Sequence, residues 1–333
     1  VKYLGKSNDI VIPNYVDGVK ITEIGEKIFY NSDKTGTLKI SEGIKVIGEN
    51  AFANSKFTGE LILPKTIKVI KDYAFPGCSN FSGNLEIPSS VETIGNWAFA
   101  AWNGNMNNLI IPGTIKEFGD YAFVNSKGFK GKLVLKNGIK SIGRDAFLEC
   151  SSLTGDLIVP DSVEVIGDSA FMVCTGFNGK LVWPSTLKKI ENSAFYGCSS
   201  LTGDLIIPEN AEIGSQSFSY IQTDGTLYMG KNMENIGWST PINAKKLIIN
   251  TPIKAYALMQ FFTKIESCWL SSDTIKGIEE NAMFSIENCI KNKNMVIYSE
   301  ATEENENWPE NWNPFNLKVV YGVSLEEYRK LTN

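Results

Sequence analysis

Apolar side chains recur along this chain in two interlocked series. Phenylalanine returns after 23 or 24 residues at Phe29, Phe52, Phe75, Phe99, Phe123, Phe147, Phe171, Phe195 and Phe218, usually as an Ala-Phe pair. In phase with it stand Leu38, Leu61, Leu85, Leu109, Leu133, Leu157, Leu181, Leu205 and Leu227, mostly within Leu-x-(Ile/Leu/Val)-Pro. Around Leu157 the order within one repeat is clear. Leu157 and Val159 alternate with Asp156 and Ile158, which is the period of a strand. Pro160 has no N–H and ends that strand. Val163, Val165 and Ile166 form a second short extended segment, and Gly167 permits a turn into the Ala170-Phe171 corner. A fixed period of this length predicts a solenoid in which one coil is one repeat. The expected fold is predominantly β, with one parallel strand per coil and a second short strand and turns opposite. Coils are expected ~4.8 Å apart, stacked into a rod or shallow arc. One coil has too little apolar surface to offset the entropy of ordering it, so stability comes from stacking.

The expected organisation is a single solenoid domain over residues 1–333. Residues 1–37 form a first repeat with a hairpin insertion: Ile10-Val11-Ile12-Pro13 is a strand, and Asp17-Gly18 joins Tyr15-Val16 to Val19-Lys20. Residues 38–246 hold the regular repeats, and 247–333 hold degenerate repeats and a C-terminal cap. Rung strands are expected at Leu247–Ile249, Cys268–Leu270, Met295–Ile297 and Leu317–Val319. Few helices are expected: Ile253 to Phe262, and Leu325 to Leu331, the latter opened by a Ser324/Glu327 capping box. Glu303 to Trp312 reads as an acidic loop.

Composition narrows the function. Histidine is absent, which excludes the serine, cysteine and zinc chemistries that depend on imidazole. A net charge of −5, with both signs interspersed, gives no footprint for nucleic acid or an anionic membrane. No stretch approaches the ~20 apolar residues of a membrane span. No nucleotide, calcium or zinc motif is present, so neither cofactor nor metal is expected. The chain opens at Val1 without Met or signal peptide, as expected of a processed or trimmed product.

The unit Leu-x-Ile-Pro-x-x-Val-x-x-Ile-Gly-x-x-Ala-Phe-x-x-Cys, closest at 157–174 and 85–99, resembles the BspA-type leucine-rich repeat over roughly residues 10–220. Val296-Ile297-Tyr298 and Trp312-Asn313 are similar to the closing segment of such proteins. The resemblance implies a leucine-rich repeat solenoid. It also implies a secreted or cell-surface bacterial protein, often from host-associated species, that adheres to host or microbial surfaces. The departures are Trp102 and Ser126 at the Cys position, Lys136 at a Pro position, and Asn105 where other units have Phe or Leu.

Four constellations invite a sharper reading. Cys78, Cys150, Cys174 and Cys198 each follow the repeat phenylalanine by three residues; they are expected to be free, buried thiols, small fillers that Ser replaces elsewhere. Lys132, Asp156, Lys180 and Asp204 share one outward position and read as a solvated charge ladder. A carboxylate pair for glycoside hydrolysis is disfavoured there, because the intervening lysine lowers both pKa values. Ile62, Glu86, Ile110, Val134, Ile158, Val182, Ile206 and Tyr228, followed by Ile248, form an outward, mostly apolar stripe and are the candidate binding face. Contact with a partner or a second copy, and cover by neighbouring chain, both remain open for it. Tyr73, Trp97 and Tyr121, with Trp102 near by, form a secondary aromatic patch, read as a stabilising ladder ahead of a sugar or protein site. Trp183 is expected in the core.

Taken together, these features point to a non-enzymatic interaction or adhesion protein that presents its sheet face to a protein or glycan on a host or microbial surface. It is expected to act outside the cell or on its surface, without membrane insertion and without nucleic acid. The alternatives are a carbohydrate-active β-solenoid enzyme and a self-associating structural surface protein that forms a homo-oligomer.

Overall fold

The computed structural model describes residues 6–229, 244–250, 265–276, 294–303 and 317–332. They fall into two compact units, Val1–Leu187 and Lys188–Asn333. The fold is a parallel-strand β-solenoid of about 10 turns.

In the first unit every coil contributes to three ladders. The main face carries strands Ile10–Ile12, Thr37–Ile40, Thr58–Ile62, Ser82–Glu86, Asn105–Ile111, Leu133–Leu135, Leu157–Ile158 and Leu181–Val182, hydrogen-bonded in three successive segments of three, three and two strands. Pairing is parallel and advances by one repeat, as in Leu109↔Leu133 and Leu157↔Leu181. Leu61, Leu63, Leu85, Ile87, Leu157 and Val159 are buried, so period-2 alternation sends the leucine series inward. Where Pro ends most of these strands, Lys136 keeps its N–H and donates it to Ile111 O at 2.9 Å. Opposite lies a ladder of two-residue strands, among them Glu23–Ile24, Val46–Ile47, Val69–Ile70, Thr93–Ile94 and Glu117–Phe118. The repeat glycine after this strand serves close approach. A Cβ on Gly167 would lie 2.8 Å from Ile142 O, so clearance from the preceding coil is what the position demands.

The third ladder forms at the phenylalanine corner, which pattern reading treats as a turn. Alternate amides cross to the next coil: Tyr73 N donates to Asn96 O, Phe75 N to Ala98 O and Gly77 N to Ala100 O, at 2.8–2.9 Å. To present them, the residues two before and two after each phenylalanine adopt left-handed backbone, with φ of 52–59° for the non-glycine residues of this unit. Asn31, Asn54 and Asn125 suit that conformation; Tyr73, Trp97, Tyr121 and Val173 accept it under strain. The rings stack between coils, with Phe52–Phe75 at 4.9 Å and Phe99–Phe123 at 5.1 Å and interplanar angles of 5° and 4°. The N-terminal hairpin forms as expected, with Asp17 and Gly18 both at positive φ.

In the second unit the main sheet comprises Leu205–Ile206, Thr226–Met229, Lys246–Ile249, Ser267–Leu270, Val296–Ser299 and Val319–Val320, all parallel. The last two strands sit one to two residues later than the sequence suggests. Helix Leu325–Thr332 forms where expected; its capping box is closed by Ser324 N to Glu327 Oε2 at 2.9 Å and Glu327 N to Ser324 Oγ at 3.3 Å. The expected helix at 253–262, most of the acidic segment at 303–312 and the pair Trp312-Asn313 lie outside the described residues. Helix Ser272–Lys276 has no counterpart in the pattern reading. Trp183 is only half-buried, contrary to its expected place in the core.

Candidate interaction face

The outward row is built by register. In the first unit Lys39 pairs with Ile62, Glu86 with Ile110, Ile110 with Val134, and Ile158 with Val182. Ile62, Ile158 and Val182 are 67%, 53% and 44% exposed. Glu86 is exposed, and Ile110 and Val134 are half-buried. These aliphatic side chains stand at rung spacing on strands that are each paired to a neighbouring coil, so the face is fixed in position.

The corresponding row of the second unit differs along its length. It runs Ile206↔Tyr228↔Ile248↔Trp269↔Tyr298↔Val320. Ile206 is exposed, whereas Ile248 and Trp269 are buried. The terminal helix covers them: Ile248, Trp269, Val323 and Tyr328 form one apolar cluster, with Tyr228, Tyr298, Val320 and Leu325 packed against it. Polar contacts fix the helix in place. Trp269 Nε1 donates to Val323 O at 2.8 Å, and Tyr328 OH meets Ser267 Oγ at 2.8 Å. Lys246 Nζ donates to Thr332 O at the helix C-terminus. Arg329 lies 5.1 Å from the Tyr228 ring centroid, so Tyr228 is half-buried and not an open position of the row. Sequence reading gave helix and row separately; nothing local showed that one covers the other.

The aromatic patch resolves into two places. Tyr73, Trp97 and Tyr121 stack outside the core, with centroids 6.1 and 4.5 Å apart and planes within 12°. Stacking occupies the ring faces that a sugar needs, which favours a stabilising ladder. Tyr121 also hydrogen-bonds to Asp145, whose carboxyl is held above the usual carboxylate range by burial. Trp102 is a correction: it is fully buried, stacked between Phe81 at 5.5 Å and Phe129 at 6.0 Å. Its ring fills the aromatic column where Asn105 leaves a gap, and Nε1 donates to Phe75 O at 2.6 Å.

That hydrogen bond explains the cysteine position. Cys78, Cys150 and Cys174 donate Sγ–H to the carbonyls of Phe52, Phe123 and Phe147, each at 3.0 Å, and Ser126 donates to Phe99 O at 2.8 Å. The position requires a buried donor to the previous coil, and filling space is secondary. The five described cysteines are free and buried, and burial pushes the thiols of Cys78, Cys150 and Cys268 up to about 12.

The charge-ladder reading is likewise corrected. Asp156 Oδ1 accepts the backbone N–H of Lys180 at 2.7 Å, and Asp204 Oδ1 that of Thr226 at 2.8 Å. Asn108 does the same for Lys132 N at 2.8 Å. These side chains tie one rung to the next by side chain to main chain, where the sequence suggested lysine pairing. Among the described residues, no group of three or more His, Cys, Asp or Glu side chains is placed to hold a metal, and no helix is long and apolar enough to cross a membrane.

A family model described as BspA type leucine rich repeat region, in 6 copies, matches residues 3–130 and 130–248. No curated protein matches the chain. Among solved structures, the chain is similar to a leucine-rich repeat protein from Bacteroides ovatus ATCC 8483, with 16% identity, 96% of this chain and 93% of that chain covered, and a TM-score of 0.48. It is similar to the T. pallidum leucine rich repeat protein, with 21% identity, 66% and 78% covered, and a TM-score of 0.43. It is also similar to a leucine rich cell surface protein from Faecalibacterium prausnitzii A2-165, with 18% identity, 99% and 91% covered, and a TM-score of 0.34. With repeats matched over most of its length and rungs held in register, the chain belongs to the BspA-type leucine-rich repeat family.

Proposed function

We propose that this protein is a non-enzymatic interaction protein, secreted or displayed at a cell surface, that binds a protein or glycan partner through the outward sheet row of its first unit. One observation carries the reading. Ile62, Ile158 and Val182 are exposed aliphatic side chains on paired strands, and apolar surface held rigidly in water is characteristic of contact surfaces. Membership of a repeat family with a general interaction role supports the coarse part of the assignment. Catalysis is disfavoured because Asp156 and Asp204 are each committed to a main-chain amide.

The test is an array of host matrix proteins and glycans probed with the wild-type chain and with Ile158→Lys and Val182→Lys. The expected result is at least one captured partner, lost in both variants. Capture unchanged by these substitutions removes the row from the binding surface. The second reading, self-association through the same row, is favoured by its apolar character alone. Light scattering separates the two: a mass that rises with concentration in wild type and not in Val182→Lys supports pairing of copies.

A further inference from the structure

We infer that the outward row of the first unit at exposed Ile158 and Val182, with half-buried Val134 preceding them, takes an amphipathic α-helix from its partner. The inference rests on the binding face proposed above and specifies what fits there. The protein already shows how such a row is covered. In the second unit the equivalent positions Tyr228, Ile248 and Trp269 lie under helix Leu325–Thr332, which turns Leu325 and Tyr328 toward them. A helix running along the row meets one rung per turn, because its pitch of about 5.4 Å nearly matches the ~4.8 Å between strands.

The polar flank repeats as well. Lys246 stands two residues before Ile248 and donates to the last carbonyl of the covering helix. Lys132 and Lys180 stand two residues before Val134 and Val182 in the same register, and both are exposed. Each is placed to meet the carbonyl end of a helix lying on those side chains, an end that favours cations. An extended peptide has no such fit. The strand Leu157–Ile158 is paired to Leu181–Val182 and packs beside Leu133–Leu135 on its other side, which leaves no room for an added strand there. A single aliphatic row also provides few partners for sugar hydroxyls. The occupant is therefore a short helix with a one-row apolar face and a C-terminal end near Lys180 or Lys132.

The chain's own covering segment is a suitable probe. A fluorescent peptide of sequence Val323–Thr332, locked as a helix by a lactam between Glu326 and Lys330, is titrated into the full chain and followed by anisotropy. That bridge lies on the solvent side, where the two side chains already pair at 2.7 Å. Saturable binding is expected, at least about tenfold weaker in Ile158→Lys and Val182→Lys, which place a charge under the apolar face. Lys180→Glu also weakens binding, Val19→Lys in the exposed N-terminal hairpin leaves it unchanged, and a scrambled peptide does not bind. Binding lost in Tyr228→Ala but retained in Val182→Lys means exchange with the resident helix and overturns the inference. No peptide binding, with array partners still lost in Val182→Lys, removes the helix while leaving the proposed face. Failure of both removes both.

Discussion

Trp102 Nε1 donates to the carbonyl of Phe75 across 2.6 Å while its ring occupies the slot that Phe57, Phe81 and Phe129 fill in other coils. One side chain thus does two jobs that neighbouring repeats divide between a donor, Cys78 or Ser126, and a phenylalanine. The departures at 102 and 105 are one adaptation. Asn105 is exposed, Met106 is buried, and the pairing slips between Met106 and Leu109. Trp102→Phe keeps a ring and loses the donor, so about 1–3 kcal/mol is expected from the unpaired carbonyl. Trp102→Cys keeps a donor and empties the column, costing about 3–5 kcal/mol. Adding Asn105→Phe to Trp102→Cys recovers much of the loss. Urea unfolding of wild type, Trp102→Cys, Asn105→Phe and the double variant measures the coupling, and strict additivity would sink the two-job account.

The cysteine position yields a second expectation. If its role is to donate to the previous phenylalanine carbonyl, Cys150→Ser costs less than Cys150→Val although valine is the more apolar. The serine keeps the bond to Phe123 O, whereas valine leaves a buried acceptor unpaired at about 1–3 kcal/mol. The reverse order would restore the filler reading. In the folded protein Cys78 and Cys150 should resist alkylation at pH 8, since burial pushes both thiols up to about 12. Full labelling is expected only after unfolding.

Val173 is a β-branched residue in left-handed backbone at φ 59°, at a corner position that other coils give to Asn31, Asn54 and Asn125. Val173→Asn should therefore stabilise by roughly 0.5–1.5 kcal/mol, because asparagine adopts that conformation at lower cost. Calorimetry should show a melting temperature raised by a few degrees. A lowered one means that the half-buried valine contributes more by packing than its backbone costs.

What sequence made legible was whatever repeats or acts locally. The alternation around Leu157, the Asp17-Gly18 turn and the Ser324/Glu327 cap are each encoded within a few residues. The corner ladder, the donor role of Cys78 and the amide-accepting role of Asp156 were not legible, because each depends on which main-chain groups the adjoining coil leaves unpaired. Trp102 misled for a related reason: alignment assigns a residue one slot, and this side chain serves two. The cover over Ile248 was hidden by distance, since Tyr328 meets Ser267 across 61 residues.

Asp145 gives a pH expectation. Burial raises its folded pKa, opposed by the Tyr121 hydrogen bond. Between the unfolded and folded pKa values the folded state holds the proton more tightly. Stability from this group therefore rises as pH falls through the folded pKa, and the gain is complete below the unfolded value. Asp145→Asn keeps an acceptor for Tyr121 and removes the titration. Relative to the variant, wild type should gain stability on going from pH 7 to pH 4, read from urea midpoints at each pH. A wild type that loses ground on acidification would show that the partners outweigh burial.

The terminal helix supplies the last expectation. Tyr328 is buried over the outward row, stacks obliquely on Tyr298 at 5.1 Å and shares its hydroxyl with Ser267. Its packing and its hydroxyl are separable. Tyr328→Phe removes the hydrogen bond and leaves Ser267 Oγ short of a partner, at about 1–2 kcal/mol. Tyr328→Ala also empties the contact with Ile248 and Trp269, at about 3–5 kcal/mol. Arg329→Ala loses only a cation over Tyr228, about 0.5–1 kcal/mol at an exposed site. Thermal unfolding should rank the three in that order, alanine at 328 worst and alanine at 329 mildest. If Tyr328→Ala proves no worse than Arg329→Ala, the helix does not hold the row closed, and the precedent for a partner helix on Ile158 and Val182 falls with it.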